Sequence, residues 1–99
     1  MTINSEKNGS ALTVFIEGRL DTVTAPELDE FLNGALQDVS DLTLDFEKLE
    51  YISSSGLRSL LRAQKQMNLA GSMKVCHVNE VIKEVLEVTG FDSILTIED

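Results

Sequence analysis

The sequence predicts an α/β domain: a mixed, mostly parallel sheet with helices packed on it, in the order β-β-α-β-α-β-α-β. Three observations carry this. Short β-branched runs alternate with stretches of helical period, which implies crossover connections and parallel strands. An Asn8-Gly9 pair separates the first two extended runs, a hairpin signal that makes that one pairing antiparallel. And a chain of 99 residues, 42% hydrophobic and 25% charged, folds as one domain over 1–99 with no room for a second.

The elements follow in order. Thr2 to Lys7 is a short edge strand, and Ala11 to Glu17, rich in β-branched and aromatic residues and closed by Gly18, is a buried one. Thr24-Ala25-Pro26-Glu27 opens a helix: Thr24 is placed to cap it, Glu27 to reach back, and Pro26 fits only in a first turn. Leu28, Phe31, Leu32, Ala35 and Leu36 then mark one face of that helix. Leu42, Leu44 and Phe46 alternate with Asp41, Thr43 and Asp45, a strand with one buried face.

A second helix begins near Ser54 or Ser55, with Leu57, Leu60, Leu61 and Met67 inward and Arg58, Arg62 and Lys65 as a solvated face. Gln64 falls on the inward stripe, where the helix is expected to lift from the sheet, and Gly71 stops it. Met73 to Val78 is a strand, Asn79 caps a helix carrying Ile82, Val85 and Leu86, Gly90 ends it, and Ile94 to Ile97 supplies the last strand.

The net charge of −9 argues against a nucleic-acid phosphate backbone as ligand and fits docking on a neutral or basic protein surface. Cys76 is the one cysteine, so no internal disulfide is expected and a reducing compartment is. No run is long enough to span a membrane and Met1-Thr2-Ile3-Asn4 lacks a signal pattern, so the expected location is cytoplasmic, away from the membrane. His77 sits in a strand pattern with only Cys76 beside it, too few ligands for a metal. There is no Gly-x-Ser-x-Gly elbow and no glycine-rich phosphate loop, so neither an enzyme nor a bound cofactor is expected.

The segment from Leu49 to Leu61 carries the most chemistry. Ser53, Ser54, Ser55 and Gly56 sit where an apolar strand hands over to a helix. The first turn of a helix has N–H groups without intrahelical partners and the positive end of the macrodipole. A serine there can cap the helix, or carry a phosphate that the helix end tolerates and a partner reads. Gly56 has two readings: it permits the loop's backbone angles, or it lets a partner's backbone approach. Asp21, by itself, reads as a turn or cap residue.

Three motifs in order, Gly18-Arg19-Leu20-Asp21 with Thr24-Ala25 and Leu28, Leu42-Thr43-Leu44-Asp45-Phe46 with Leu49 to Leu57, and Thr89-Gly90-Phe91, resemble the STAS domain of bacterial anti-sigma factor antagonists over nearly the whole chain. In that family the loop before the second helix usually reads Asp-Ser-Ser/Ala-Gly-Leu, and the serine after the aspartate is phosphorylated. The resemblance implies that Ser54 is the modified residue, with Ser55 and Ser53 as alternatives because Ser53 stands where the aspartate usually is. It implies a partner-binding surface of Asp21, Thr22, Ser53, Ser54, Ser55, Gly56, Leu57 and Arg58. The implied partners are an anti-sigma factor that is also a serine kinase, which brings its own ATP and Mg²⁺, and a serine phosphatase. The other function such a fold implies is an unphosphorylated adaptor in a transport or signalling complex.

Overall fold

A computed structural model describes residues 1–98; Asp99, the end of the expected domain, lies outside them. β1 (Thr2–Asn8) and β2 (Ala11–Leu20) form the expected antiparallel hairpin across Asn8-Gly9. The first half of β2 pairs in parallel with β3 (Asp41–Asp45) and its second half with β4 (Leu49–Ile52). β5 (Ser72–Cys76) runs parallel beside β3, and β6 (Ile97–Glu98) beside β5. The sheet order is β1-β2-β3-β5-β6, with β4 on the far half of β2. The helices are α1 (Ala25–Ala35), α2 (Ser54–Ala70) and α3 (Glu80–Val88).

Alternation decides what lies inside. Leu12, Val14 and Ile16 of β2, Leu42 and Leu44 of β3, and Met73 and Val75 of β5 are buried and join Leu28, Leu32, Leu60, Met67, Ile82 and Leu86 of the helices in one core. The residues between them, among them Thr13, Phe15, Thr43, Asp45, Lys74 and Cys76, point the other way.

The observed order has one strand more than expected: β-β-α-β-β-α-β-α-β. The chain leaves β3 at Phe46, whose ring is fully buried and whose N–H donates to the Cys76 carbonyl at 3.0 Å. It rejoins β2 when the Gly18 N–H donates to the Lys48 carbonyl at 2.9 Å, with an irregularity in register between Gly18 and Arg19. β3 and β4 thus act as one interrupted strand along β2, a tertiary arrangement that a four-residue apolar run does not announce. The last strand is also displaced. Ile94 and Leu95 donate their N–H groups to the Phe91 carbonyl, closing the 3-10 turn Phe91–Ser93, and only Ile97–Glu98 reaches the sheet.

α2 does not lift at Gln64. That side chain is buried, its Nε2 donates to Asn68 Oδ1 at 2.9 Å, and its Oε1 has no partner among the described residues. Ala63, which the expected stripe omits, is buried as well and belongs to the core, and Leu61 is half-buried. Arg62 is exposed as expected but not solitary: its Nη2 lies 2.6 Å from Asp29 Oδ2 on α1, tying the two helices together at the surface. Gly71 follows the last residue of α2 as expected, and the position admits no side chain because a Cβ there would fall on the Ser40 carbonyl.

Candidate functional site

The carboxyl ends of β2 and β4 lie side by side, with Leu20 paired to Ile52, and each strand opens into a helix. The Ser53 N–H donates to the Leu20 carbonyl at 2.9 Å, so the Asp21–Thr24 loop and the serine turn form one surface. The loop before α1 is held by its acid. Asp21 Oδ1 accepts from the Val23 N–H at 3.0 Å and the Thr24 N–H at 3.1 Å, and the Asp21 N–H donates to Thr24 Oγ1 at 2.8 Å. Thr24 occupies the cap position, but its backbone is already helical and its hydroxyl makes no cap bond; that hydroxyl donates to the Arg19 carbonyl at 2.7 Å. The capping box expected of Thr24 is therefore not formed, and Asp21 holds the turn that precedes the helix. The Thr24 backbone N–H, foremost, with the Thr24 hydroxyl, the Val23 N–H and the Arg19 charge, holds the Asp21 carboxyl below the usual carboxylate range against the opposing effect of desolvation.

The three serines before and in the first turn of α2 do three different things. Ser53 is extended, at φ −98° and ψ 176°, and its Oγ accepts from the Gly56 N–H at 3.4 Å: this is the helix cap. Ser55 Oγ lies 3.2 Å from Thr22 Oγ1 and accepts from Arg58 Nη2 at 3.1 Å, which stitches the two loops together. Ser54 is exposed at the first helical position, the most open of the three. The Leu57 N–H is already satisfied by the Ser53 carbonyl at 2.9 Å. The N–H groups of Ser54 and Ser55 are left as the donors of the helix end, with the macrodipole behind them.

Two residues expected on the partner surface are inside the molecule. Leu57 is part of the core. Gly56 is buried as well, and a Cβ on it would stand 2.8 Å from Ile52 Cγ1 and 2.9 Å from both Leu20 Cγ and the Leu20 carbonyl oxygen. The close approach that requires glycine is made by the chain's own β2 and β4, not by a partner, and its backbone lies in regular helix. Both residues seat the first turn of α2 on the sheet, which fixes where Ser54 points.

The surface also includes residues that the motifs did not single out. The Arg19 guanidinium lies 4.2 Å from the centroid of the Tyr51 ring, and its Nε is 3.7 Å from Asp21 Oδ2. Val23 and Tyr51 are 79% and 40% exposed, large apolar groups next to the loops. The register supplies the signal: Arg19 pairs with Tyr51 one step before Leu20 pairs with Ile52.

A second cluster forms where none was expected. β5 ends at Cys76, and His77 turns out of the strand with φ +55°. Its Nδ1 comes within 3.0 Å of Asp45 Oδ2 and 3.7 Å of Cys76 Sγ. The hydrogen bond and charge of Asp45 push the His77 imidazole pKa up, while burial pushes that of the Cys76 thiol up. His77 is thus neither in the strand nor accompanied by Cys76 alone, as the spacing had indicated; Asp45 reaches it from across the sheet.

With this geometry in hand, likeness to known proteins is informative. Residues 2–99 match the family model of the STAS domain. BtrV of Bordetella bronchiseptica is 31% identical over 100 residues, covering 98% of this chain and 85% of that protein. The anti-sigma F factor antagonist of Paenibacillus polymyxa is 29% identical over 102 residues, covering 100% of this chain and 87% of its own length. Among solved structures, the anti-sigma factor antagonist SpoIIAA in its unphosphorylated form superposes with a TM-score of 0.77 at 17% identity, over 99% of this chain and 88% of that one. The phosphorylated form of the Bacillus SpoIIAA gives 0.76 at 17% identity, over 99% and 92%. No helix of the described residues is long and apolar enough to cross a membrane. By matched length, by relatives named anti-sigma factor antagonists and by fold, this chain belongs to the STAS domain family.

Proposed function

We propose that the chain is an anti-sigma factor antagonist that works by partner switching, a binding protein and not an enzyme. Unphosphorylated, the surface of Asp21, Thr22, the serine turn and Arg58 docks on an anti-sigma factor and frees its sigma factor. A serine kinase, in the simplest case the anti-sigma factor itself, phosphorylates Ser54 and breaks that complex; a phosphatase resets it. The setting is the cytoplasm, where ATP and Mg²⁺ come with the kinase.

The observation that carries this reading is the division of labour among the serines. Ser53 takes the cap and Ser55 the loop contact, so the exposed Ser54 hydroxyl has no structural duty to lose. A phosphate adds about −1.5 to −2 charges. At the amino end of α2, with Arg58 one turn on, it leaves the fold undisturbed. In a docked interface the same group must be desolvated, and leaving it unpaired costs on the order of 2–5 kcal/mol, roughly 30- to 4,000-fold in affinity. SpoIIAA, which shares the fold, exists in both phosphorylated and unphosphorylated forms, and this supports the reading.

The test is a mass spectrum of the protein after incubation with ATP and lysate of its own cells, followed by binding of the partner kinase to Ser54→Ala and Ser54→Asp. Phosphate on Ser54, with tight binding by the alanine variant and weak binding by the aspartate variant, is the expected result. No phosphate on any loop serine, with equal binding by both variants, would favour a constitutive adaptor on the same fold.

A further inference from the structure

We infer that Asp45, Cys76 and His77 form a binding site for one zinc-class divalent ion, taking a carboxylate oxygen, a thiolate and an imidazole nitrogen and leaving a fourth position for water. The three donor atoms come from the ends of β3 and β5 and all lie within 4.8 Å of one another. An ion with ordinary zinc bond lengths in tetrahedral geometry holds sulfur and nitrogen about 3.6 Å apart and nitrogen and oxygen about 3.4 Å apart. The corresponding separations are 3.7 Å and 3.0 Å, a few tenths of an ångström from those values, and the third pair, the Cys76 sulfur and an Asp45 carboxylate oxygen, lies within 4.8 Å.

The backbone is arranged for this convergence. Successive residues of a strand point to opposite faces, so Cys76 and His77 in a continued strand could not share a ligand. The left-handed conformation of His77, unfavourable for a residue with a Cβ, ends the strand and brings the ring back over the sulfur. Asp45 is 7% exposed, and its two oxygens are divided: Oδ1 accepts from the Glu47 N–H at 2.9 Å, which fixes the carboxylate, while Oδ2 faces the imidazole. Glu47 and Glu98 add negative field at the cluster, and the neighbouring Lys74 is paired with Glu98 at 3.5 Å.

Thiolate, imidazole and carboxylate together suit a borderline ion of the zinc type far better than calcium or magnesium, which take oxygen ligands. On binding, the thiol proton leaves to solvent and Nδ1 gives up the proton it donates to Asp45 Oδ2, so that the bound imidazole is neutral with its proton on Nε2. Three protein ligands with one open position match the pattern of sites that keep an exchangeable water.

Titration of chelator-treated protein with Co²⁺ tests this. One equivalent should produce a thiolate-to-cobalt charge-transfer band that Zn²⁺ displaces. Cys76→Ser should abolish the band, and His77→Gln, with its fold verified by circular dichroism, should weaken binding by at least about tenfold. No band in the wild-type protein at millimolar Co²⁺ would overturn the site, and so would a band that survives in Cys76→Ser or wild-type affinity in His77→Gln.

Discussion

The serine turn and the Asp45–Cys76–His77 cluster both sit at carboxyl ends of parallel strands, yet they are built by opposite means. At the serine turn each local rule is obeyed: an extended Ser53 caps, a regular helix follows, and glycine stands where the sheet crowds the first turn. At the end of β5 a local rule is broken, since His77 occupies a left-handed conformation and its partner Asp45 lies 32 residues away in sequence. The first arrangement leaves a hydroxyl free to be modified without cost to the fold. The second holds three ligand-type side chains together at the expense of backbone comfort. Relaxed geometry suits a switch; tension in the chain marks a site whose elements must be kept in place.

The largest expected effect separates the cap from the switch. Ser54→Asp should weaken binding of the partner kinase by roughly 30- to 4,000-fold, whereas Ser53→Asp, which keeps a capping oxygen at the helix start, should change it by less than about tenfold. Isothermal titration of both variants measures the difference, and equal losses would mean that the two serines are not distinct in role. Next in size is Gly56→Ala. Its methyl group meets Leu20 and Ile52, including the rigid Leu20 carbonyl, and the expected destabilisation is about 1–3 kcal/mol in urea unfolding. An unchanged midpoint would show that the first turn of α2 is not pressed on the sheet.

Most of the serine turn was legible in the sequence because its determinants are local. A cap, a run of hydroxyls, a glycine and a following apolar stripe fall within about ten residues, and the order of strands and helices placed them at the sheet's end. What the motifs did not show was which serine caps and that Gly56 and Leu57 face inward, because both depend on how β4 lies along β2. The apolar run before the serines was legible as extended chain, but not as a strand separate from β3, because its pairing with β2 depends on Gly18 and Lys48 bringing the chain back. Spacing alone makes Thr24 a cap, but its hydroxyl is turned to the Arg19 carbonyl, and an aspartate three residues upstream holds the turn through the Val23 and Thr24 N–H groups. The histidine cluster was beyond reach, since nothing near His77 in sequence announces Asp45, and a positive φ at a residue other than glycine leaves no pattern to read.

A stability comparison sharpens the contrast between the two regions. Ser53→Ala should cost about 1 kcal/mol, the usual loss for a helix cap. His77→Gly should change the stability of the metal-free protein by less, because a relaxed backbone offsets the lost contact with Asp45. Thermal unfolding of the two variants side by side reads this directly. A larger loss for His77→Gly would mean that the cluster is a structural staple in its own right.

The smallest effect is a titration at the edge of the serine turn. The Asp21 carboxyl is held below the ordinary carboxylate range first by the Thr24 N–H, so folding favours its charged form. Its contribution to stability is complete above the carboxylate's unfolded pKa and fades as pH falls through the lower folded value. Carbon-detected NMR titration should therefore place Asp21 below the ordinary aspartate value, and Thr24→Val, which keeps the N–H but removes the hydroxyl, should move it only part of the way back. Acidification should then loosen Thr22, and with it Ser55, through their 3.2 Å contact, before the core responds. If Asp21 titrated like any exposed aspartate while Thr22 stayed ordered, the loop would owe its shape to something other than its acid. The two strand ends would then be neighbours without being one surface.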